Sequence, residues 1–173
     1  MNLFHMFGYS CKRYITPILV DGKRPQTYIE LGYPRSPAHA GSFFYAEDLW
    51  VPDPRTASLQ IYAPASGVAV YLVQHNTVWG STKEYQKYLN IITVQVTGKF
   101  REPGGEFYEL AHLAANSCPF QVGQKVKAGD LLGKTGLNGW ITLTDGVVDS
   151  HLHFMVGVWG ENGSFKSLRI RRR

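Results

Sequence analysis

Proline or glycine interrupts every stretch of this chain long enough to become a helix, with 18 glycines and 9 prolines in 173 residues. Each interior proline removes a hydrogen-bond donor and each glycine adds backbone entropy, so a helical bundle is excluded. What remains are short runs of β-branched and aromatic residues between turns, at 59–62, 67–73, 91–97, 107–113 and 151–158. The one helical pattern, 82–89, is too short to carry a domain. Strands at this density predict a mostly β protein, an antiparallel β sandwich or open barrel built as a single domain.

A chain that is 44% hydrophobic and 13% aromatic has enough apolar surface to fold, and its net charge of +5 is too small to keep it open. No apolar run approaches the ~20 residues that span a bilayer as a helix. Cys11 and Cys118 are too few for a disulfide framework and lack closely spaced thiol partners. They read as small buried hydrophobes, with one bridge between them as the lesser option, and His5 and His75 as ordinary surface or structural residues. The sequence divides into a proline-rich extended lead-in (1–33) packed on the domain, a main domain (34–160) and a basic tail (161–173). That tail ends Arg169-Ile170-Arg171-Arg172-Arg173 and reads as a solvated end, with a contact for an anionic polymer, lipid or nucleic acid as the lesser alternative. No nucleic-acid partner is expected. The N-terminus lacks the basic start and apolar core of a secretory leader and does not read as one.

The chemistry is concentrated in His151-Leu152-His153. Residues i and i+2 of a strand share a face, so both imidazoles point one way while Leu152 and Phe154 point to the core. Imidazole binds zinc through one neutral nitrogen and moves protons near neutral pH, so such a pair serves as ligand and base together. His112 ends another alternating stretch, and His39 precedes an aromatic run holding Glu47 and Asp48. A carboxylate in such a setting needs a charged partner, because burying it alone costs several kcal/mol. A dication meets that need.

These residues resemble the lysostaphin-like zinc metalloendopeptidases, which cut bacterial peptidoglycan and have a small antiparallel β domain of the duplicated-hybrid-motif type. The resemblance runs from about residue 34 to 158 and includes the glycine-rich Val122-Gly-Gln-Lys-Val-Lys-Ala-Gly-Asp-Leu-Leu-Gly-Lys-Thr-Gly136 before the last strands. It implies one zinc per chain held by His39, Asp48 and His153, with His112 and His151 as catalytic histidines. The carboxylate departs from the common pattern: four positions after His39 stands Phe43, and the acid is Asp48 in a longer variant, with Glu47 its rival. The segment 140–150 is longer than usual and is expected to form an extra loop or hairpin beside the cleft. Three protein ligands leave a position open for water, whose acidification gives a nucleophile at neutral pH. The absence of His-Glu-x-x-His rules out the helical zincin arrangement, so imidazole must act as the base. The implied substrate is the stem or cross-bridge peptide of peptidoglycan, and virion or wall-associated partners are compatible with it. Tyr45, Trp50, Tyr71, Trp79 and Trp140 are candidates for a peptide groove, although most read as core. Two other readings stand beside this one: a non-catalytic wall-binding or amidase-regulating relative, and a carrier or phosphotransfer β domain. The carriers need a lysine at a hairpin tip between apolar neighbours, which Lys125 and Lys127 do not provide.

Overall fold

The computed structural model describes residues 3–25 and 39–173. The boundary expected at 33/34 lies outside the described residues. Among the described residues there are thirteen short strands: β1 (Glu47–Trp50), β2 (Gln60–Tyr62), β3 (Gly67–Val73), β4 (Trp79–Gly80), β5 (Ile91–Gln95), β6 (Glu106–Ala111), β7 (Lys125–Val126), β8 (Leu131–Lys134), β9 (Gly139–Trp140), β10 (Leu143–Thr144), β11 (Val147–Val148), β12 (His151–Trp159) and β13 (Phe165–Ser167). The helical pattern at 82–89 is realised as a 3₁₀ segment, Lys83–Tyr88.

The main sheet is antiparallel, in the order β1-β12-β6-β5-β3-β7, with β13 continuing β12's edge. Small two-stranded pieces, β2 with β8, β4 with β9 and β10 with β11, frame it without closing a barrel. One face of the sheet is dry. Leu49, Ile92, Val94, Tyr108, Leu110, Leu152, Phe154 and Val156 pack there with Ile61 and Leu132 from the β2–β8 layer. Each such side chain contributes roughly 1.5–3 kcal/mol by leaving water. That alternation fixes the register, because a slip by one residue would turn every apolar side chain outward.

Both ends of the described chain are tied to this body. Tyr14 and Ile18 are fully buried in the core. Ile15 N–H donates to the Pro64 carbonyl, and Tyr62 N–H to that of Pro17. The basic end differs from the solvated tail expected: Leu168 is fully buried, Tyr9 and Tyr14 bridge to Arg169 and Arg172, and Arg172 pairs with Glu47. Leu168, Ile170 and Arg172, at alternate positions, turn towards the body, which a run of arginines conceals.

Candidate metal and catalytic site

Strand β12 lies between β1 and β6, and the open face of this trio carries the polar cluster. Asp48 is directly opposite His153, and Trp50 opposite His151. Directly opposite residues of an antiparallel pair project to the same face, about 5 Å apart. His153 is also opposite Ala111, the last residue of β6, so His112 emerges beside it. His39 reaches the cluster from the segment before a 3₁₀ turn, Gly41–Phe43.

The side chains converge on one carboxylate. His39 Nε2 is 3.2 Å from Asp48 Oδ2, His153 Nδ1 is 3.0 Å from Oδ1, and His151 Nε2 is 3.7 Å from the same Oδ1. The ring of His112 meets that of His151 edge-on at 4.5 Å between centroids, and the His39 and His153 rings are 5.3 Å apart. All five sequence-identified side chains are therefore brought together. Glu47, the rival, is directed to the other face, where its carboxylate meets Arg172 and, at 3.8 Å, Arg24.

Burial alone would push the Asp48 carboxyl up, but His151, His153 and His39 together hold it well below the usual carboxylate range. It is an anion at neutral pH. Burial and the neighbouring His151 lower His112 to about 3, so its imidazole is neutral. His153 is the reverse: burial lowers it, yet the Asp48 hydrogen bond and the charges of Asp48 and Glu109 raise it overall. Glu109 lies diagonally across from His153 on the same face, accepting a hydrogen bond from Thr93 at 3.4 Å.

Backbone geometry aims the two remaining histidines. His112 has φ +65°, a left-handed conformation that costs a non-glycine residue of order 1–3 kcal/mol and ends β6 abruptly. The Asn138 carbonyl accepts from His112 Nδ1 at 2.7 Å, and the Asp149 carbonyl from His151 Nδ1 at 2.8 Å. A carbonyl can only accept, so each ring carries a proton on Nδ1, and the neutral His112 keeps its lone pair on Nε2. Asn138 is itself held in place: its Oδ1 accepts from Asn90 N–H, and its Nδ2 donates to the Leu113 carbonyl. Gly136 N–H donates to the His112 carbonyl, and a Cβ on Gly136 would meet Ala114 backbone atoms at 2.5 Å. Sequence patterns did not reveal Asn138, Asn90 or Glu109 as part of this arrangement. The Gly136-Leu-Asn-Gly139 turn is the signal that was available for Asn138.

The surroundings correct one expectation and bear out another. None of the five candidate groove aromatics is core: Trp50 is 39% and Tyr71 49% exposed, and Tyr45, Trp79 and Trp140 are half-buried. Trp50 stands next to His151 on the open face. The segment 140–150 does form a hairpin, β10–β11, whose Thr142 and Thr144 hydroxyls donate to the Asp149 carboxylate.

The donor set fits a zinc ion. The ligand atoms of His39, Asp48 and His153 lie within 4.8 Å of one another. Donors at about 2.0–2.2 Å around tetrahedral zinc are roughly 3.3–3.5 Å apart, within a few tenths of an ångström of the His39–Asp48 and His153–Asp48 separations. The buried Nδ1 of His39 has no hydrogen-bond partner, so its approach to the carboxylate through Nε2 is the ring's one polar engagement among the described residues.

No protein-family profile matches the sequence, and no curated protein matches it. Solved structures do match. A zinc-containing peptidase from Vibrio cholerae superposes with a TM-score of 0.51 at 16% identity, covering 92% of this chain and 38% of that one. Lysostaphin gives 0.52 at 19% identity, covering 92% and 53%. A chain of the SpoIIQ–SpoIIIAH pore-forming complex gives 0.50 at 15%, covering 91% and 89%. The chain thus spans between a third and just over a half of the length of the two peptidases, and it has the lysostaphin-like fold.

Proposed function

We propose that this chain is a zinc-dependent endopeptidase of the lysostaphin-like family that hydrolyses peptide bonds in the stems or cross-bridges of bacterial peptidoglycan. One observation carries the reading: five side chains from four separate segments meet on one face of β12, three as a ligand set and two as paired imidazoles.

His39, Asp48 and His153 would hold the zinc ion, which when bound would supply Lewis acidity to an amide carbonyl and to a water brought towards neutral pKa. Two neutral imidazoles and one carboxylate leave that site a net positive charge. His112, neutral and with its Nδ1 proton committed to Asn138, presents the Nε2 lone pair and receives the proton of the attacking water. His151, fixed through Asp149, is the partner imidazole that hydrogen-bonds the developing oxyanion and serves the leaving amine. Trp50 and the β10–β11 hairpin flank the histidines and offer an extended peptide an apolar wall.

A second reading has one observation in its favour, the shared fold of the SpoIIQ–SpoIIIAH chain. A binding-only relative has no need of the strained His112 or the two Nδ1–carbonyl bonds, and their presence favours catalysis. The test is clearing of a purified peptidoglycan suspension with release of new amino termini. Activity is expected to vanish with a chelator and return with zinc. Full activity in metal-free protein would overturn the proposal.

A further inference from the structure

A second convergence of metal-binding donors lies away from the histidine cluster, where the N-terminal segment crosses the start of β6. Glu106 is fully buried, and five donors approach its carboxylate. Oε1 faces the Tyr14 hydroxyl at 2.5 Å and Lys12 N–H at 3.4 Å. Oε2 faces three: Cys11 N–H at 2.8 Å, Cys11 Sγ at 2.7 Å and His5 Nε2 at 2.9 Å. A carboxylate oxygen has two lone pairs, so Oε2 is oversubscribed if all three are hydrogen-bond donors. The thiol is also a weak donor on a large atom, and 2.7 Å is very close for S–H···O.

From this geometry we infer that His5, Cys11 and Glu106 form a second metal site, selective for zinc or another borderline-soft dication, that fastens the N-terminal segment to the sheet. With a metal present, His5 Nε2 and Cys11 Sγ become ligands alongside Oε2, and Oε2 keeps one true hydrogen bond, from Cys11 N–H. The donor count then balances. The three ligand atoms already lie within 4.8 Å of one another. Sγ and Nε2 need to withdraw from Oε2 by less than about 1 Å to reach coordination spacing. Tyr14 and Lys12 N–H meanwhile hold the other oxygen, the outer support that ligating carboxylates usually have. A thiolate, a carboxylate and a neutral imidazole cancel the charge of a dication, so a neutral unit sits in the buried site. His5 Nδ1 has no hydrogen-bond partner, so no bond competes for the tautomer that turns the Nε2 lone pair inward. Cys11 is partly exposed and gives the ion a way in.

The experiment is zinc content per chain of extensively dialysed full-length protein, in the wild type, Cys11→Ala and Asp48→Ala, followed by cobalt substitution. The inference expects two equivalents in the wild type and one in each variant. It also expects a near-ultraviolet thiolate-to-cobalt absorption in the wild type and Asp48→Ala that is missing in Cys11→Ala. Equal zinc in Cys11→Ala and wild type, or no thiolate absorption, overturns it. Should Cys11→Ala fail to fold, thiol labelling in a Cys118→Ser background decides: Cys11 is expected to react at least tenfold faster after chelation, and an unchanged rate refutes the site. Cys11-dependent metal that persists in Asp48→Ala separates this result from any failure of the peptidase reading.

Discussion

Glu47 and Asp48 are adjacent carboxylates in one strand, yet they do opposite things. Asp48 faces outward from the sheet into three imidazoles, and Glu47 faces the other side, where Arg172 closes over the Phe154 ring at 5.0 Å. The pleat separates them. Asp48 gathers groups that can share a cation, and Glu47 already has a cation supplied by the chain. One face of β1–β12 is therefore arranged for chemistry and the other for holding the C-terminal segment down.

The largest expected contrast is in turnover: Asp48→Ala is expected to abolish peptidoglycan clearing, while Glu47→Gln leaves it within about twofold, since a surface-independent pair on the other face touches no reacting group. Equal losses in the two variants would dissolve the distinction. Next, His112→Gln is expected to keep its zinc and lose about 10²–10⁴-fold in rate, the usual range for a proton-transfer residue. Unchanged activity would remove His112 from the machinery. Gly136→Ala should fall between, because its Cβ must displace the Ala114 backbone and with it the turn that aims His112; about 10²-fold follows from an ångström of misplacement. Wild-type rates there would show that the turn does not set the histidine. Glu47→Gln should instead lower thermal stability, by about 1–3 kcal/mol, for Arg172 is left largely buried with a weaker partner. An unaltered melting curve would show that this face holds nothing.

The smallest effect concerns protonation. In metal-free protein the His112 imidazole should show no titration by NMR between pH 5 and 8, its folded value lying near 3. Because the folded value is below the unfolded one near 6.5, His112 adds stability that is complete above about pH 6.5 and is lost as pH falls towards 3. A midpoint close to 6.5 would mean that its ring is not desolvated.

Much of this was legible in the chain. Period-two alternation placed His151 and His153 on one face and Leu152 and Phe154 in the core, and the structure keeps that division. The choice between Glu47 and Asp48 was not decided by spacing alone, since it depends on which of them stands opposite His153. What stayed hidden was long-range or backbone-borne. Asn138 acts on His112 through its carbonyl, which every residue type possesses. His5 sits in no motif yet is 1% exposed, and nothing local signals this because its partner Glu106 is 101 residues away. The arginine-rich end looked solvated because composition does not show that Arg172 would meet Glu47. The aromatics looked like core by residue type, whereas Trp50 is exposed beside His151 by register.

The most direct measurement is X-ray absorption at the zinc edge of Cys11→Ala protein, which isolates the histidine cluster. Two imidazole nitrogens, one carboxylate oxygen and one further light-atom donor at about 2.0–2.2 Å are expected, lost when Asp48 is also replaced by Ala and kept when Glu47 is replaced by Gln. No bound zinc, or an unchanged spectrum without Asp48, would contradict the account.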